Sequence, residues 1–340
     1  MNAPLQLKAP FPCFGGKSKV ADVVWQSLGD VDNYVEPFAG SLAVLLSRPH
    51  LPKIETVNDL DCMIANFWRA ISVAPEDVAH HANWPVNEVD EEARHYWLVH
   101  KKDGLRDKLG DPEWFDAKVA GWWLWGICIY IGSGFTGGNG PWQHDGVQWI
   151  KRTPAQQGIN RQLPHLGDAG RGINRQLPHL GTAGHGINRQ LPHLGDAGQG
   201  ILTYLETLAA RLRHVRVACG DWQRVCGPSV TYKHGTTGVF LDPPYLMEGR
   251  SKVYSHDSDN IACGVRKWAL ENGQRRDMRV ALCGYDGEHS ELETAGWRVY
   301  AWKAHGGFGC QGDGSGRANA ARERIWFSPH CLDLSQKRLL

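Results

Sequence analysis

The chain has 340 residues, a formal net charge of +1 and 21% charged residues. This length allows one large domain or two ordinary domains with a substantial core, and the near-zero charge excludes binding of nucleic acid through a global excess of basic residues. Any nucleic-acid surface therefore has to be a local patch. The nine cysteines form no CxxC pair and no metal-like spacing with histidine, which favours buried thiols in a reducing cytoplasm over disulfides or a zinc site.

The sequence also predicts that the protein has no membrane partner. Residues 1–12 contain no apolar signal-peptide core, and the longest apolar run, at residues 119–131, is too short to cross a bilayer. We therefore expect a soluble, cytoplasmic protein.

The amino-terminal region predicts the start of a nucleotide-type α/β site. Residues 11–18 hold a glycine turn followed by Lys17, and an amphipathic stretch covers residues 20–28. Residues 33–41 then predict a short strand and a second glycine turn, and residues 42–46 begin a helix. A strand, a glycine turn and a helix in this order open many nucleotide-binding sheets, although small residues at such a turn can also serve packing alone.

A second strand is predicted at residues 54–57, with Asn58 and Asp59 at its carboxyl end. An acid about twenty residues beyond the glycine turn is placed to bind ribose hydroxyl groups. Asp59 could instead cap a helix over residues 63–71, and the two roles are compatible.

The middle of the chain has a different composition. Residues 91–109 are charged and helix-compatible, so they form a solvated helix face or, alternatively, contact phosphate. Residues 118–131 are rich in tryptophan and predict a core helix rather than a platform on which bases stack. The glycines of residues 132–142 predict a mobile loop, whose aromatic and amide side chains favour contact with DNA over a plain linker. The expected contact residues are Phe135, Asn139 and Trp142.

A 14-residue tandem repeat covers residues 158–199, with copies starting at Gly158, Gly172 and Gly186. The proline and glycines of each copy exclude a long helix. Each copy presents Asn, Arg, Gln and His, the side chains that read base edges in DNA, and apolar residues at fixed spacing that would let copies stack. Near-identical copies equally suit a recent duplication that only lengthens a surface loop, and the sequence leaves both interpretations open.

The most informative stretch is the tetrapeptide Asp-Pro-Pro-Tyr at residues 242–245. Residues 238–241 before it form an apolar run bounded by turn residues, which predicts a buried strand. The two prolines forbid further strand pairing and a helix, so the chain leaves the sheet as a stiff loop. Asp242 is thus held at the carboxyl end of a strand, where open α/β sheets bind their ligands.

These residue types suit chemistry on an exocyclic amine of a nucleobase, whose lone pair is delocalised into the ring. The carboxylate of Asp242 and the carbonyl oxygen of Pro243 can each accept one amine hydrogen, which draws the nitrogen towards tetrahedral geometry and frees the lone pair. The ring of Tyr245 offers a face on which the base can stack. An ordinary turn with a capping aspartate is the alternative, so the interpretation needs a cofactor site elsewhere in the chain.

The remaining chain is predicted to complete the sheet. Residues 247–260 are polar and are expected to extend over the bound base. Strands are predicted at residues 279–283, 297–302 and 323–327, and a helix at residues 288–295. We expect the last two strands to form a hairpin that closes the sheet.

Four motifs occur in an order typical of one enzyme family. They are Gly-Gly-Lys at residues 15–17, Val-Glu-Pro-Phe-Ala-Gly at 35–40, Asn-Asp at 58–59 and Asp-Pro-Pro-Tyr at 242–245. With them, the chain resembles the Dam-like, alpha-group DNA adenine N6-methyltransferases.

The resemblance implies an α/β fold, a Rossmann-like sheet that binds S-adenosylmethionine, with an inserted, mainly helical and loop target-recognition region. The two parts of the catalytic domain would be residues 1–71 and 205–340. The insertion would be residues 72–204, including the tandem repeat.

The resemblance also implies roles for single residues. Asp242, Pro243 and Tyr245 match the catalytic motif, and no metal is expected. Leu42 departs from the family pattern, because it replaces the last glycine of the cofactor loop. The residues expected to bind the cofactor are Cys13, Lys17, Glu36, Phe38, Gly40, Asp59, Asp221 and Asp242.

The expected reaction is methylation of adenine N6 in double-stranded DNA, by base flipping and direct displacement, without a covalent enzyme intermediate. A close alternative keeps the fold and methylates cytosine N4. An alternative from another class is a catalytically idle DNA-binding protein, although the intact Lys17, Asp59 and Asp242 argue against it. A cognate restriction nuclease is a candidate partner.

Overall fold

In the computed structural model of the protein, the described residues are 7–11, 16–102, 104–111, 113–130, 135–136, 142–144, 149–151, 200–245, 259–302 and 322–333. Cys13, Asn139 and the repeat at residues 158–199 lie outside them, as do residues 246–258 after the tetrapeptide.

One large sheet organises the described part of the chain. The strands are β1 (Asn33–Glu36), β2 (Ile54–Asp59), β3 (Trp142–His144), β4 (Trp149–Lys151), β5 (Val215–Cys219), β6 (Thr237–Leu241), β7 (Met278–Tyr285), β8 (Arg298–Ala301) and β9 (Glu323–Phe327). Seven of them form a sheet in the order β5-β2-β1-β6-β7-β9-β8, and β3 pairs with β4 separately. Neighbours in the large sheet are parallel except at β9, which runs antiparallel to β7 and β8.

This strand order creates a switch point in the middle of the sheet. The chain moves outwards from β1 to β2 and β5, and it then returns to pair β6 with the other side of β1. The carboxyl ends of β1 and β6 therefore lie side by side, and open α/β sheets bind ligands at this kind of place. The mostly parallel seven-stranded sheet, closed by an antiparallel hairpin, confirms the predicted Rossmann-like fold.

Helices cover the sheet and extend beyond it. They are α1 (Ala21–Leu28), α2 (Ala43–Leu46), α3 (Cys62–Val73), α4 (Pro75–Ala82), α5 (Glu88–Lys102), α6 (Leu105–Lys108), α7 (Ala117–Ile129), α8 (Ile201–Leu212), α9 (Asp259–Asn272) and α10 (Ser290–Thr294). The strands and helices predicted from the sequence are present, with ends that differ by a few residues. Helix α9 was not predicted. Its buried face includes Ala262 and Ala269, whose short side chains give a weak periodic signal.

The two faces of the sheet carry separate apolar clusters. Tyr34 and Phe240 point into one cluster, while their chain neighbours Val35 and Val239 point into the other. This alternation follows from the two-residue period of a strand, and burial on both faces explains the nearly continuous apolar sequences of the central strands.

The tryptophan-rich helix α7 lies in the core, as predicted. Trp123 and Trp125 are fully buried, and Trp123 packs edge-on against Phe11, with ring centroids 4.8 Å apart. In the adjoining charged stretch at residues 91–109, Lys101, Arg106 and Lys108 are exposed, as a solvated face requires, but Arg94 is buried. Arg94 is 6% exposed, and the guanidinium lies over three indole rings, at 4.8, 4.9 and 4.4 Å from the centroids of Trp84, Trp122 and Trp125.

Burial excludes Arg94 from contact with phosphate in this structure. A guanidinium enclosed by aromatic faces exchanges its hydration for cation–π contacts, which makes Arg94 a residue that holds α5 against α7. In the described part of the chain, every helix is too short or too polar to cross a membrane.

Candidate active site

The tetrapeptide at residues 242–245 lies where the sequence predicted it. Strand β6 is buried along its whole length and ends at Leu241, so Asp242 leaves the sheet at the carboxyl edge beside β1. The two prolines then keep the chain out of any strand or helix up to Tyr245.

Lys17 joins this tetrapeptide to the amino-terminal glycine turn. Its Nζ lies 2.9 Å from Oδ1 of Asp242 and 4.0 Å from Oε2 of Glu323. The Lys17 side chain is 4% exposed and that of Asp242 is 20% exposed. A buried ammonium group requires such a counter-charge, because burial alone would strongly disfavour it.

Tyr245 links the same carboxylate to a residue that the sequence did not single out. Its hydroxyl oxygen lies 2.9 Å from Oδ1 of Asp242 and 3.1 Å from Oε2 of Glu323. The hydroxyl has one hydrogen and therefore donates to one carboxylate at a time. Burial, followed by the charge of Asp242, raises the pKa of Tyr245 well above its ordinary value, so the hydroxyl stays protonated.

Glu323 reaches the site from the start of β9. Its burial raises the pKa of its carboxyl group, while the Lys17 ammonium opposes that shift. No local pattern marks Glu323, because it opens an otherwise ordinary apolar strand. Only the antiparallel pairing of β9 with β7 brings it next to the tetrapeptide.

Asp59 lies between two loops on the other side of β1. Its Oδ2 accepts a hydrogen bond from the backbone N–H of Gly40 at 2.9 Å, and its Oδ1 accepts one from the N–H of Asp61 at 2.9 Å. Withdrawal from solvent raises the pKa of the Asp59 carboxyl group to about 6. The alternative that Asp59 caps α3 is wrong, since Asp61 is the N-cap and accepts from the N–H of Met63 at 2.9 Å.

The glycine turn after β1 adopts left-handed backbone geometry at two positions. Gly40 has φ 47° and Leu42 has φ 59°. The conformation at residue 42 is the one that favours glycine, so the replacement by Leu42 keeps the turn and leaves local strain in it. The fully buried side chain of Leu42 in the core compensates for that strain.

Glu36 ends β1 as a deeply buried carboxyl group. Its Oε2 accepts a hydrogen bond from the Tyr34 hydroxyl at 3.0 Å. Burial is the main reason that its pKa rises to about 8, and the negative charge of Asp242 raises it further. Glu36 and Asp242 are therefore close enough to interact electrostatically at the switch point.

The loop after β5 completes this edge. The Asn58 side-chain amide donates to the carbonyl oxygens of Pro37 at 3.0 Å and Gly220 at 2.9 Å, and so connects the loops that follow β1 and β5. Phe38 stacks with Trp222, with centroids 6.2 Å apart and an interplanar angle of 29°. Asp221 is exposed and caps the short 3₁₀ helix Trp222–Val225, accepting from the N–H of Gln223 at 2.9 Å.

The predicted DNA contact by Phe135 is wrong for this structure. Phe135 is 2% exposed, and its ring packs against those of His95 and Tyr130, with centroids 5.0 and 5.4 Å away. His95 Nε2 also lies 2.6 Å from the carbonyl oxygen of Phe135. An aromatic residue among glycines predicted an exposed ring, but the apolar space beside α7 holds it. Trp142 begins β3, and Asn139 lies outside the described residues.

The chain matches one family model. Residues 14–112 match the D12 class N6 adenine-specific DNA methyltransferase. A search of curated proteins found no match. The matched range contains Lys17, Glu36, Gly40 and Asp59, and the ion pair from Lys17 connects it to Asp242.

This match is to the adenine N6 class, which favours adenine over cytosine as the target base. Family model, sheet topology and the tetrapeptide at the switch point agree with one another. Residues 14–112 therefore carry a D12 class N6 adenine-specific DNA methyltransferase domain, and the fold and the tetrapeptide of the whole chain are consistent with that activity.

Proposed function

We propose that the carboxyl edge of β1, β2 and β6 binds S-adenosylmethionine, and that Asp242 holds an adenine amino group of double-stranded DNA against it. The observation that carries the proposal is the ion pair of Lys17 with Asp242, which unites the amino-terminal motif with the tetrapeptide at the switch point.

The charges of the site fit this cofactor. S-adenosylmethionine carries positive charge on its sulfonium and ammonium groups. The carboxyl groups of Glu36 and Glu323 both sense the negative charge of Asp242, and Lys17 offsets part of this charge. A cation entering such a site favours ionisation of these carboxyl groups and is stabilised by their negative charge.

The hydrogen-bond capacity of Asp59 fits the ribose. A carboxylate offers about four lone-pair sites, and the backbone N–H groups of Gly40 and Asp61 occupy one on each oxygen. The remaining sites can accept from two hydroxyl groups. The partly exposed Phe38 ring, which stacks on the buried Trp222, provides flat apolar surface for an adenine ring.

When bound, the cofactor supplies an electrophilic methyl group on sulfur. The contribution of Asp242 is to orient the attacking amine. Both recorded side-chain contacts of Asp242, from Lys17 and from Tyr245, fall on Oδ1. In this proposal Oδ2 of Asp242 accepts one amine hydrogen, and the Pro243 carbonyl oxygen accepts the other. Orientation of this kind needs no covalent intermediate.

Tyr245 and Glu323 position the base. The Tyr245 hydroxyl contacts the carboxylates of Asp242 and Glu323, and its ring packs in a T-shaped arrangement with that of Tyr285, with centroids 4.7 Å apart. These contacts fix the orientation of the Tyr245 ring, which can then present a preorganised face to a stacked base. Glu323 is therefore a positioning residue that acts through Tyr245 and Lys17.

The mostly buried Asp242 requires the target base to leave the helix, because an amine inside duplex DNA is paired and out of reach. Asn139 and Trp142 remain predicted DNA contacts, Cys13 a predicted cofactor contact, and a cognate restriction nuclease a predicted partner. The segment 72–204 remains the predicted target-recognition insertion.

The test is to identify the product. The full-length protein is incubated with duplex DNA and methyl-labelled S-adenosylmethionine, and the DNA is digested to nucleosides for mass analysis. We expect label in N6-methyl-2′-deoxyadenosine. Label in N4-methyl-2′-deoxycytidine, or in no nucleoside while the protein binds the cofactor, contradicts the proposal.

A further inference from the structure

Two thiol groups face each other at the border of the proposed cofactor site. Cys62 is the first residue of α3 and Cys219 is the last residue of β5, and their Sγ atoms lie 4.0 Å apart. All the cysteines in the described part of the chain are reduced. Buried cysteines often act only as small apolar residues, so the surroundings of this pair have to distinguish it.

The strand register brings the two residues together. Cys219 pairs with Asp59 in the parallel ladder of β5 with β2, and Cys62 follows three residues after Asp59, where the chain turns into α3. The two thiols therefore lie between the segments that carry Asp59 and Asp221.

The charges around Cys62 favour its thiolate. The N-terminus of α3 carries partial positive charge, and the Arg106 guanidinium interacts with the sulfur. The pKa of Cys62 is lowered to about 6. The hydrogen bond from Cys219 is the largest cause, and the Arg106 guanidinium lowers the pKa further. Burial and the Asp61 carboxylate oppose this shift. The same bond raises the pKa of Cys219, which keeps the proton.

Other cysteines in the described part of the chain differ from this pair. Burial raises the pKa of the Cys128 and Cys226 thiols, and no cation lowers either value. Cys263 is exposed and its Sγ lies 3.9 Å from the Arg266 guanidinium, but it lies on α9, on a different part of the fold. Thiolate character and accessibility together decide which cysteines react with oxidants.

An open groove reaches one member of the pair. A cavity of about 690 Å³ lies between α3, α8 and β5, and its lining includes Cys219, Ala65 and Arg69. Cys62 is buried behind Cys219, with its Sγ 4.0 Å from that of Cys219. The pair thus places a second sulfur beside Cys62 at the wall of a cavity large enough for hydrogen peroxide.

We propose that Cys62 and Cys219 form an oxidant-sensitive pair, which peroxide converts to a disulfide that weakens cofactor binding. The Cys62 thiolate attacks one peroxide oxygen, the O–O bond breaks, and hydroxide leaves and takes up a proton to give water. The resulting sulfenic acid is attacked by the Cys219 sulfur, which forms the S–S bond, releases a second water and loses its proton. Two thiols lose two electrons in total, and one peroxide gains them.

The effect on the cofactor rests on the proposed function and on the backbone around the pair. A disulfide requires the sulfurs to approach from 4.0 Å to about 2.05 Å. The neighbouring Gly220 N–H donates to the Asp59 carbonyl oxygen at 3.1 Å, and the Gly220 carbonyl accepts from Asn58. Closing the bond pulls on these contacts and shifts the loops that carry Asp59 and Asp221.

The experiment treats the reduced full-length protein with hydrogen peroxide and measures its intact mass and peptide map. We expect a mass loss of two hydrogen atoms and a cross-linked peptide pair containing Cys62 and Cys219, both reversed by dithiothreitol. Cys62→Ser should lose the cross-link, and Cys263→Ser, at the exposed thiol, should keep it. Gain of oxygen atoms without a cross-link, or a cross-link that persists in Cys62→Ser, overturns the proposal.

Calorimetric titration with S-adenosylmethionine provides the second readout. We expect weaker binding by the oxidised protein than by the reduced protein, and no such change for peroxide-treated Cys62→Ser. A disulfide that leaves the affinity unchanged overturns the regulatory claim. If the reduced protein does not bind the cofactor at all, the proposed function fails, while the mass measurement still decides whether the pair forms.

Discussion

Lys17 and Asp242 form a largely buried ion pair, with Nζ 2.9 Å from Oδ1, between the first and the last motif of the site. The pair fixes Oδ1 of the Asp242 carboxylate. Burial is the main reason that the pKa values of Glu36 and Glu323 are raised, and the negative charge of Asp242 raises both further.

Asp242→Ala should abolish methyl transfer and leave cofactor binding largely intact. The variant loses the acceptor that orients the amine, and removal of one preorganised group in an active site typically costs about 100-fold or more in rate. The rate is measured by transfer of labelled methyl groups to DNA, and affinity by calorimetry. Asp22→Ala, at an exposed position of α1, is the matched control and should keep full activity. Substantial transfer by Asp242→Ala would refute the mechanism.

Glu323→Ala should reduce the turnover number by about 5-fold to 100-fold, since a lost buried hydrogen bond costs roughly 1–3 kcal/mol. Glu323→Gln keeps an acceptor for the Tyr245 hydroxyl and should recover part of the rate. Steady-state kinetics on duplex DNA separate this effect from a change in KM.

The control for Glu323 is Glu291→Gln, at an exposed glutamate of α10. If Glu323→Ala and Glu323→Gln lose equal activity, the carboxylate charge beside Lys17 matters and the hydrogen bond to Tyr245 does not.

The buried Glu36 should make the free protein less stable as pH rises. Because burial raises its pKa from 4.5 to about 8, the folded protein holds this proton more tightly than the unfolded chain does. The contribution of protonated Glu36 to the free energy of unfolding is therefore fully present below pH 4.5 and is lost as pH rises to about 8. Glu36→Gln has no such proton and should gain stability relative to the natural sequence across that window, by up to about 1.4 kcal/mol per pH unit.

Urea denaturation at several pH values, without cofactor, measures this gain. Glu76→Gln, at an exposed position of α4, should show no pH-dependent difference. A stability difference between Glu36→Gln and the natural protein that stays constant with pH would show that Glu36 titrates normally.

Phe135→Ala should destabilise the fold by about 3–5 kcal/mol, the usual cost of removing a buried phenylalanine ring. The ring is so closely packed that a Cβ atom added at Gly126 would lie 2.2 Å from it. Thermal or chemical denaturation measures the effect. Unchanged stability with weakened DNA binding would instead restore the DNA-contact role predicted from the sequence.

Local patterns in the sequence were sufficient for the secondary structure around the site. The apolar run of β6 followed by two prolines placed Asp242 at a strand end, and the structure has it there. The glycine turn after β1 was predicted too, and Leu42 keeps its left-handed geometry. Signals of this kind act over a few residues, because chain geometry and side-chain period are local properties.

Local sequence patterns gave wrong predictions of exposure where the burial of a side chain depends on residues distant in the chain. Arg94 lies in a charged stretch and Phe135 lies among glycines, and both settings predict exposed side chains. In the structure, three indole rings enclose Arg94, and the Phe135 ring packs against His95 in the apolar space beside α7. Asp59 stands close enough to the start of the next helix to suggest a cap. The hydrogen bond from Gly40 commits Asp59 to the turn after β1 and leaves the cap to Asp61.

The sequence by itself therefore determined the class of fold, the position of the tetrapeptide and the family resemblance. Only the tertiary structure decided that Lys17 pairs with Asp242, that Glu323 holds Tyr245, and that Cys62 meets Cys219. The physical reason is the strand order. The sheet returns β6 to the side of β1 and inserts β9 beside β7, and these pairings set contacts between residues that no local pattern relates.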